Sequence, residues 1–290
     1  MNFIKILFWP ITAPIAFIQK NFKTVLFLTI LYFVFVNSDT KNLEQPNLQK
    51  IDLVGPIMMV DEILEKIEIA KNDPHIKGVL LNVNSPGGAV APSVELAYAI
   101  KELSKTKPVV AYASGIMASG GYYASIWADQ IIANPGSMIG SIGVIMQSVD
   151  ASELIAKIGI KPQTVKVGDY KEAGTPTRQW TALEKQELEK ITQDTYNMFV
   201  QDVSNARKLQ PQDHKTFADA HIFTATQAKD VGLVDSVATI SSAKAEVEKL
   251  SGVDVAIWAK EDKMEKFMEK LLNGSIQNIS TLFSHKLMAY

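Results

Sequence analysis

The chain has 290 residues, a formal net charge of -2 and 47% hydrophobic residues, enough apolar material for a full core of one or two domains. The balanced charge and the lack of long basic runs exclude the clustered positive face that nucleic-acid binding requires, so no nucleic-acid partner is expected. The absence of cysteine excludes disulfides, thiolate metal sites and a cysteine nucleophile.

Residues 1–38 are predicted to form an N-terminal membrane segment. The stretch "TVLFLTILYFVFV", residues 24–36, has no charge, but a full span needs about 20 apolar residues, so its polar neighbours must contribute. Residues 37–45 offer no small-x-small cleavage site, which favours a retained transmembrane anchor over a cleaved signal peptide. Lysines precede the run and Asp39 follows it, which predicts a cytoplasmic N-terminus with the bulk of the chain outside.

Residues 39–50 are polar and are predicted to be a linker before a domain that spans residues 51–255. The domain opens with the pattern of a β-α-β unit: a strand in "KIDLVGPI", a helix in "VDEILEKIEIAKN", and a strand in "IKGVLLNVNSPGG" that runs into a glycine turn. The alternation continues with "APSVELAYAIKELSKT" (helix), "KPVVAYAS" (strand), "MASGGYYASIWA" (helix), "DQIIANP" (strand) and "GSIGVIM" (strand). Such alternation predicts an α/β fold with a largely parallel sheet covered by helices.

The pattern changes after residue 150. A helix is predicted in "SELIAKIGI", a strand in "KPQTVKVG", and a long amphipathic helix over residues 181–208, with Thr181 as N-cap and Glu184 completing a capping box. A short helix, a glycine stop and a strand follow in "TATQAKDVGLVDSVA". Residues 256–290 are predicted to be an amphipathic C-terminal helical extension, for which packing or an oligomer contact is favoured over a membrane-surface role.

One serine, Ser119 in "GIMASGGYYAS", lies where a strand is predicted to turn into a helix, as a nucleophile or merely as a small turn residue. A serine hydroxyl needs a base, yet none of the four histidines is placed where a strand end would present one. A buried lysine can serve if its pKa is lowered, and Lys171 in "VKVGDYKEAGTP" is the candidate, with an ordinary loop lysine as the alternative. No histidine spacing matches a zinc site, so no metal is expected.

Acyl transfer also needs backbone N-H groups aimed at the developing oxyanion. In "NSPGG", residues 84–88, two glycines follow a buried strand and let bare backbone approach a substrate, although a simple tight turn explains the motif equally well. The N-H of Gly120, next to Ser119, is the natural second donor.

Five motifs in order, "NSPGG", "ASGGYYAS", "GSIGV", "GDYKEAGTP" and "AKDVGLVD", span residues 51 to about 240. Together they resemble the signal peptide peptidase A family, the S49 serine peptidases, in its short single-domain form. The resemblance implies the fold of the ClpP/crotonase superfamily, built from repeated β-β-α units, and a serine-lysine dyad peptidase independent of ATP. The site residues it implies are Ser119 as nucleophile, Lys171 as general base, Ser141 to orient the lysine, and Gly88 and Gly120 as oxyanion donors, with Gly87 a close substitute.

Lys171 follows Ser119 by 52 residues, so either the fold or a partner chain must bring them together. The resemblance implies a homo-oligomeric ring in which adjacent protomers share each site, without cofactor or metal. It implies peptide substrates, namely remnant signal peptides and other short apolar peptides in or near the membrane. The implied location is the bacterial cytoplasmic membrane, crossed once, with the catalytic domain outside.

Two other functions are compatible with this fold. A crotonase-type acyl-CoA enzyme is disfavoured because no pair of carboxylates lies near "NSPGG". A catalytically inactive membrane scaffold is disfavoured because both Ser119 and Lys171 are present.

Overall fold

The computed structural model describes residues 17–36 and 45–259, and the chain divides into two compact units at residues 45 and 46. In the first unit, an apolar run without Gly or Pro forms helix α1, Phe22–Val36, of 15 residues. Among the described residues, no helix combines the length and the apolar character needed to cross a bilayer. The transmembrane anchor is therefore not confirmed and stays a prediction.

The second unit contains a seven-stranded sheet flanked by helices. Its strands are β1 (Leu48–Val54), β2 (Gly78–Ser85), β3 (Val109–Ala118), β4 (Gln130–Ala133), β5 (Met138–Gly140), β6 (Ile222–Thr224) and β7 (Ser236–Val237). Its α-helices are α2 (Asp61–Asn72), α3 (Val90–Ser104), α4 (Gly120–Tyr123), α5 (Ser152–Lys157), α6 (Ala182–Arg207), α7 (His214–Phe217), α8 (Ala225–Asp230) and α9 (Ile240–Ser251). A 3-10 turn covers Pro211–Asp213.

The sheet is parallel except at one pair. Strands β1, β2, β3, β4 and β7 follow one another across it, and β5 pairs with β3 on one side and antiparallel with β6 on the other. Strand β3 forks, because its first half pairs with β4 and its last three residues pair with β5. The carboxyl ends of β2, β3 and β5 therefore meet at one edge, the usual place for a site in a parallel sheet. The predicted α/β class with a mostly parallel sheet is confirmed.

Apolar side chains fill both faces of the sheet, as a strand covered on both sides requires. On one face, Leu80 and Val110 pack against Ala243 and Val247 of α9. The alternate strand residues point to the larger core, which contains buried side chains of α2, α3 and α6. This double cover makes the sheet a rigid support for the loops that leave its carboxyl edge.

Three predicted elements are wrong in type or length. Residues 161–168 form no strand, because every residue of this stretch, Val165 and Val167 included, is exposed and no described strand pairs with it. The strand predicted in residues 140–146 ends at Gly140, and the helix predicted over residues 117–128 is reduced to α4, because β3 continues to Ala118.

The domain boundaries stay predictions. Strand β1 begins at Leu48, within the segment expected to be linker. Most of the predicted C-terminal extension, residues 260–290, lies outside the described residues.

Candidate active site

Ser119 occupies a sharp turn between β3 and α4. Its backbone has φ +50° and ψ -124°, a conformation that costs a non-glycine residue about 1–3 kcal/mol and persists only where the surroundings enforce it. The Ser119 N-H donates to the Gly140 carbonyl at 2.7 Å, which holds the turn against β5. Within the described residues, the Ser119 hydroxyl has no hydrogen-bond partner. This geometry presents a half-buried hydroxyl at the carboxyl edge of the sheet, as a nucleophile requires.

The glycine turn after β2 lies directly against Ser119. A Cβ atom at Gly87, whose φ is +95°, would lie 2.6 Å from the Gly120 nitrogen and 2.7 Å from the Ser119 Cβ. A Cβ atom at Gly88 would lie 2.1 Å from the carbonyl oxygen of Ile57. Only glycine therefore lets this backbone come so close to the serine.

Among residues 45–259, one backbone N-H group in the glycine turn and one in the turn at Ser119 are unpaired. Neither the N-H of Gly88 nor that of Gly120 donates a hydrogen bond to an acceptor among residues 45–259. The Gly87 N-H, by contrast, donates to the Ser85 hydroxyl at 3.2 Å. Unpaired N-H groups beside a nucleophile can hold an oxyanion, so Gly88 and Gly120 have the right chemistry, whereas Gly87 acts here by leaving space.

Ser141 lies beside Ser119 at the same edge. Ala118 and Gly140 are paired in register, and each serine follows one of them directly. Ser141 also has φ +50°, and its N-H donates to the His221 carbonyl at 2.7 Å. The strained serines thus end two neighbouring parallel strands, and Ser141 is close enough in register to assist a group that approaches Ser119.

A small crevice of about 80 Å³ opens over Ser119. It is lined by Gly88, Val90, Ser93, Ser119, Gly120, Tyr123, Gly143, Val144, Ile145, Thr195, Met198 and Phe199. At its back, the Tyr123 ring stacks on Phe199 with centroids 4.5 Å apart, and its hydroxyl donates to Asp202 at 2.5 Å. Burial and then the Asp202 hydrogen bond raise the pKa of Tyr123, so this phenol stays neutral and serves as a wall.

Lys171 lies elsewhere in the chain. It belongs to a series of turns over residues 168–175, in which its N-H donates to the Gly168 carbonyl at 3.3 Å. Its side chain is exposed and is not among the residues that line the crevice over Ser119. Within one chain, the structure therefore does not bring the predicted base to the predicted nucleophile.

A network of charges that the sequence analysis missed surrounds the residue after Lys171. Glu172 accepts hydrogen bonds from Lys166 at 2.9 Å and from Arg178 at 3.0 Å, and these lower its pKa to about 2. Arg178 also pairs through both terminal nitrogens with Glu184, at 2.7 and 2.9 Å, which lowers the Glu184 pKa to about 2. Glu184 completes the predicted capping box with Thr181, so that prediction is confirmed. The capping signal identified Glu184, but no sequence signal identified its partner Arg178.

The segment that carries Lys171 exposes an unusual amount of apolar surface. Every residue from 156 to 171 is exposed. The large apolar side chains exposed here and just upstream are Ile145, Met146, Val149, Leu154, Ile158, Ile160, Val165, Val167 and Tyr170. A wide groove of about 1170 Å³ lies between residues 143–146 and α6. Apolar surface of this extent is typical of a protein-protein contact.

Two of the described histidines have other side-chain partners. His75 is exposed and pairs with Asp73, and His214 contacts the Tyr196 hydroxyl at 2.8 Å. No group of acidic or histidine side chains within residues 17–36 and 45–259 could hold a metal ion. His285 lies outside the described residues.

Comparison with known proteins identifies the peptidase family to which the chain is similar. The sequence profile of "Peptidase family S49" matches residues 101–254. The chain is 43% identical over 205 residues to a Methanocaldococcus jannaschii protein provisionally described as a protease, covering 71% of this chain and 64% of that protein. It is 35% identical over 178 residues to an Enterococcus faecium protein provisionally described as a signal peptide peptidase SppA, covering 60% of this chain and 51% of that protein. It is 31% identical over 190 residues to the chloroplastic serine protease SPPA of Arabidopsis thaliana, covering 65% of this chain and 28% of that protein. The chain thus spans less than two thirds of the length of each of these relatives.

Proposed function

The chain belongs to peptidase family S49 as an SppA-like member, and on that premise we propose that it is a serine peptidase with Ser119 as nucleophile and Lys171 as general base. The observation that carries the proposal is the strained turn at Ser119, packed against a glycine turn, with one unpaired N-H group in each of the two turns among the described residues. A serine that served only in a turn would not need bare backbone at van der Waals distance on its open side. Peptide hydrolysis uses both features, one for attack and one for the oxyanion.

The proposed reaction has two stages. Neutral Lys171 takes the proton of Ser119 as the hydroxyl attacks the scissile carbonyl, and the N-H groups of Gly88 and Gly120 stabilise the oxyanion. Protonated Lys171 then donates to the leaving amine, and a water activated by the same lysine hydrolyses the acyl-enzyme. Ser141, beside Ser119 in register, orients the lysine amine.

The site needs a second copy of the chain. Lys171 is exposed and outside the crevice, and its carrier segment displays apolar side chains to solvent. Docking of that segment on a neighbouring protomer would bury both Lys171 and the apolar side chains. Loss of water around the lysine amine favours its neutral form, which can act as a base. We therefore infer a homo-oligomer, arranged as a ring, in which each site combines Ser119 of one protomer with Lys171 of the next.

The proposed substrates are short apolar peptides, remnant signal peptides among them. The small crevice over Ser119 is walled by Val144, Met198 and Phe199, which suits apolar side chains. The charge-free run in α1 is consistent with anchoring at the bacterial cytoplasmic membrane, with the catalytic unit outside. The fold we assign is that of the ClpP/crotonase superfamily, and the chemistry requires neither cofactor nor metal.

A serine-directed fluorophosphonate probe tests this function. We expect labelling of the assembled protein at Ser119, loss of labelling in Ser119→Ala, and strong loss in Lys171→Ala, together with loss of peptide hydrolysis in both. Ser125, which is buried and donates to the Gly121 carbonyl, provides the control, because Ser125→Ala should keep its labelling. Unchanged labelling in Ser119→Ala would contradict the assignment of the nucleophile.

A further inference from the structure

The turn that carries Lys171 is held by side chains rather than by burial. Its neighbours on the N-terminal side are all exposed, and the backbone hydrogen bonds of the turn join only residues close to one another in sequence. Glu172 is the exception, since its side chain is only 19% exposed and accepts from both Lys166 and Arg178. Glu172, next to the proposed base, is thus the residue that fixes the turn in place.

Arg178 connects Glu172 to helix α6. One terminal nitrogen of its guanidinium donates to both Glu172 and Glu184, at 3.0 and 2.7 Å, and the other donates to Glu184 at 2.9 Å and to the Gln179 carbonyl at 3.0 Å. Glu184 is 1% exposed and caps the first turn of α6. The planar guanidinium fork can bridge two carboxylates in this way, whereas a lysine ammonium cannot match the geometry.

The same helix supports the other half of the site. Thr195, Met198 and Phe199 of α6 line the crevice over Ser119, and Phe199 stacks on Tyr123. One rigid helix therefore carries the Lys171 turn at its N-terminus and backs a Ser119 crevice further along. A displacement of the turn relative to α6 is a displacement of the base relative to the assembled site.

We propose that Arg178 is a positioning residue for the general base, holding the Lys171 turn against the N-terminus of α6 through Glu172. This inference rests on the proposed function, because it assigns Arg178 a task only if Lys171 is the base. Arg178 acts through Glu172 and touches no substrate. Its contribution is to order the turn before a neighbouring protomer receives it, which reduces the freedom that the lysine would otherwise lose at the site.

The experiment compares matched arginine-to-lysine variants at the two ends of α6. Arg178→Lys keeps a positive charge near the buried Glu184 but breaks the bridge to Glu172. Arg207 forms a similar two-nitrogen pair with Asp235, at 2.8 and 3.1 Å, at the other end of the helix, so Arg207→Lys is the control. Glu172→Gln is the milder second variant, because it removes the charge at the link and leaves the Arg178-Glu184 pair intact.

The measurements are kcat and KM for a fluorogenic peptide from pH 6 to pH 10, together with thermal unfolding of the full-length assembled protein. For Arg178→Lys we expect kcat to fall by roughly 10- to 100-fold with KM little changed, since misplacement of a catalytic group by about 1 Å costs that much. We also expect the rising limb of its pH profile to move to higher pH, because a poorly docked amine stays hydrated and protonated. Glu172→Gln should lower kcat and shift the pH profile in the same directions, but by less. Arg207→Lys should change neither kcat nor the pH profile.

The results separate this inference from the proposed function. If Arg178→Lys and Glu172→Gln keep the wild-type kcat and pH profile while Lys171→Ala is inactive, the positioning role is wrong and the dyad stands. If Lys171→Ala keeps hydrolysing peptides, the proposed base is wrong and the inference fails with it. A lower unfolding temperature with an unchanged pH profile would mean that Arg178 serves stability alone, which also overturns the proposal.

Discussion

A site shared between protomers predicts that two inactive variants restore each other. Lys171 is tied through Arg178 to Glu184, whereas the Ser119 crevice is backed by Phe199 on the same helix. These two positions on α6 are about 15 residues apart, or about 22 Å along the helix axis at 1.5 Å per residue. Within one chain, the Lys171 turn and the Ser119 crevice thus lie at separate positions along α6, and the proposal of a shared site requires the turn of one chain to reach the crevice of a neighbour.

The test co-assembles Ser119→Ala chains with Lys171→Ala chains in equal amounts. In a head-to-tail contact with random mixing, each site has an intact serine in about half of cases and an intact lysine in about half, so about one quarter of sites become competent. We expect peptide hydrolysis to rise from background to about that fraction of the wild-type rate. Two different affinity tags, purified in sequence, isolate the mixed assemblies for the assay.

The matched control mixes Lys171→Ala chains with chains that carry both substitutions. This mixture contains no intact lysine, so its activity should stay at background at any ratio. If the first mixture assembles, as shown by recovery through both tags, and still hydrolyses no more peptide than either variant alone, the reasoning about a shared site is refuted.

Three further predictions concern single residues. Gly87→Ala should abolish probe labelling while circular dichroism still reports a folded protein, because the new Cβ would lie 2.6 Å from the Gly120 nitrogen, inside the space of the oxyanion. The free energy of urea unfolding should fall as the pH drops from about 4.5 toward about 2, because the Glu184 pKa is about 2 in the folded state, below its ordinary 4.5. In Glu184→Gln, this free energy should change less steeply with pH over the same range. Lys171→Arg should hydrolyse no peptide from pH 6 to pH 10, because arginine keeps its proton and cannot act as a general base.

The class of fold was predictable because the first four strands of the sheet repeat the same local pattern. Strands β1 to β4 are short, β-branched and followed by helices or glycine turns, and covering both faces of a parallel sheet requires such runs. Residues 161–168 show where this reasoning fails. Val165 and Val167 have strand propensity, but propensity describes a pleated, half-buried surface, and no neighbouring strand supplies one.

The candidate site was predictable only where its parts follow neighbouring strands. Gly87 and Ser119 follow β2 and β3, which pair in parallel, so their order along the chain already indicates that they meet. Ser141 follows β5, whose pairing with the end of β3 depends on the fork of β3 and has no signature in the sequence. Lys171 follows no strand, and its position depends on the Arg178 bridge to Glu184, which no spacing rule predicts.

The two halves of the proposed dyad are held in different ways, and this difference follows from where each lies. Ser119 and Ser141 adopt strained backbones that the sheet enforces through hydrogen bonds to Gly140 and His221, so the nucleophile is fixed by the fold of one chain. Lys171 lies on an exposed segment outside the sheet, and side-chain ion pairs connect its turn to α6. A nucleophile ordered by folding and a base ordered by assembly would keep an unassembled chain inactive toward peptides. Docking of the exposed apolar segment on a neighbouring protomer would then be the step that both completes the site and switches on peptide hydrolysis.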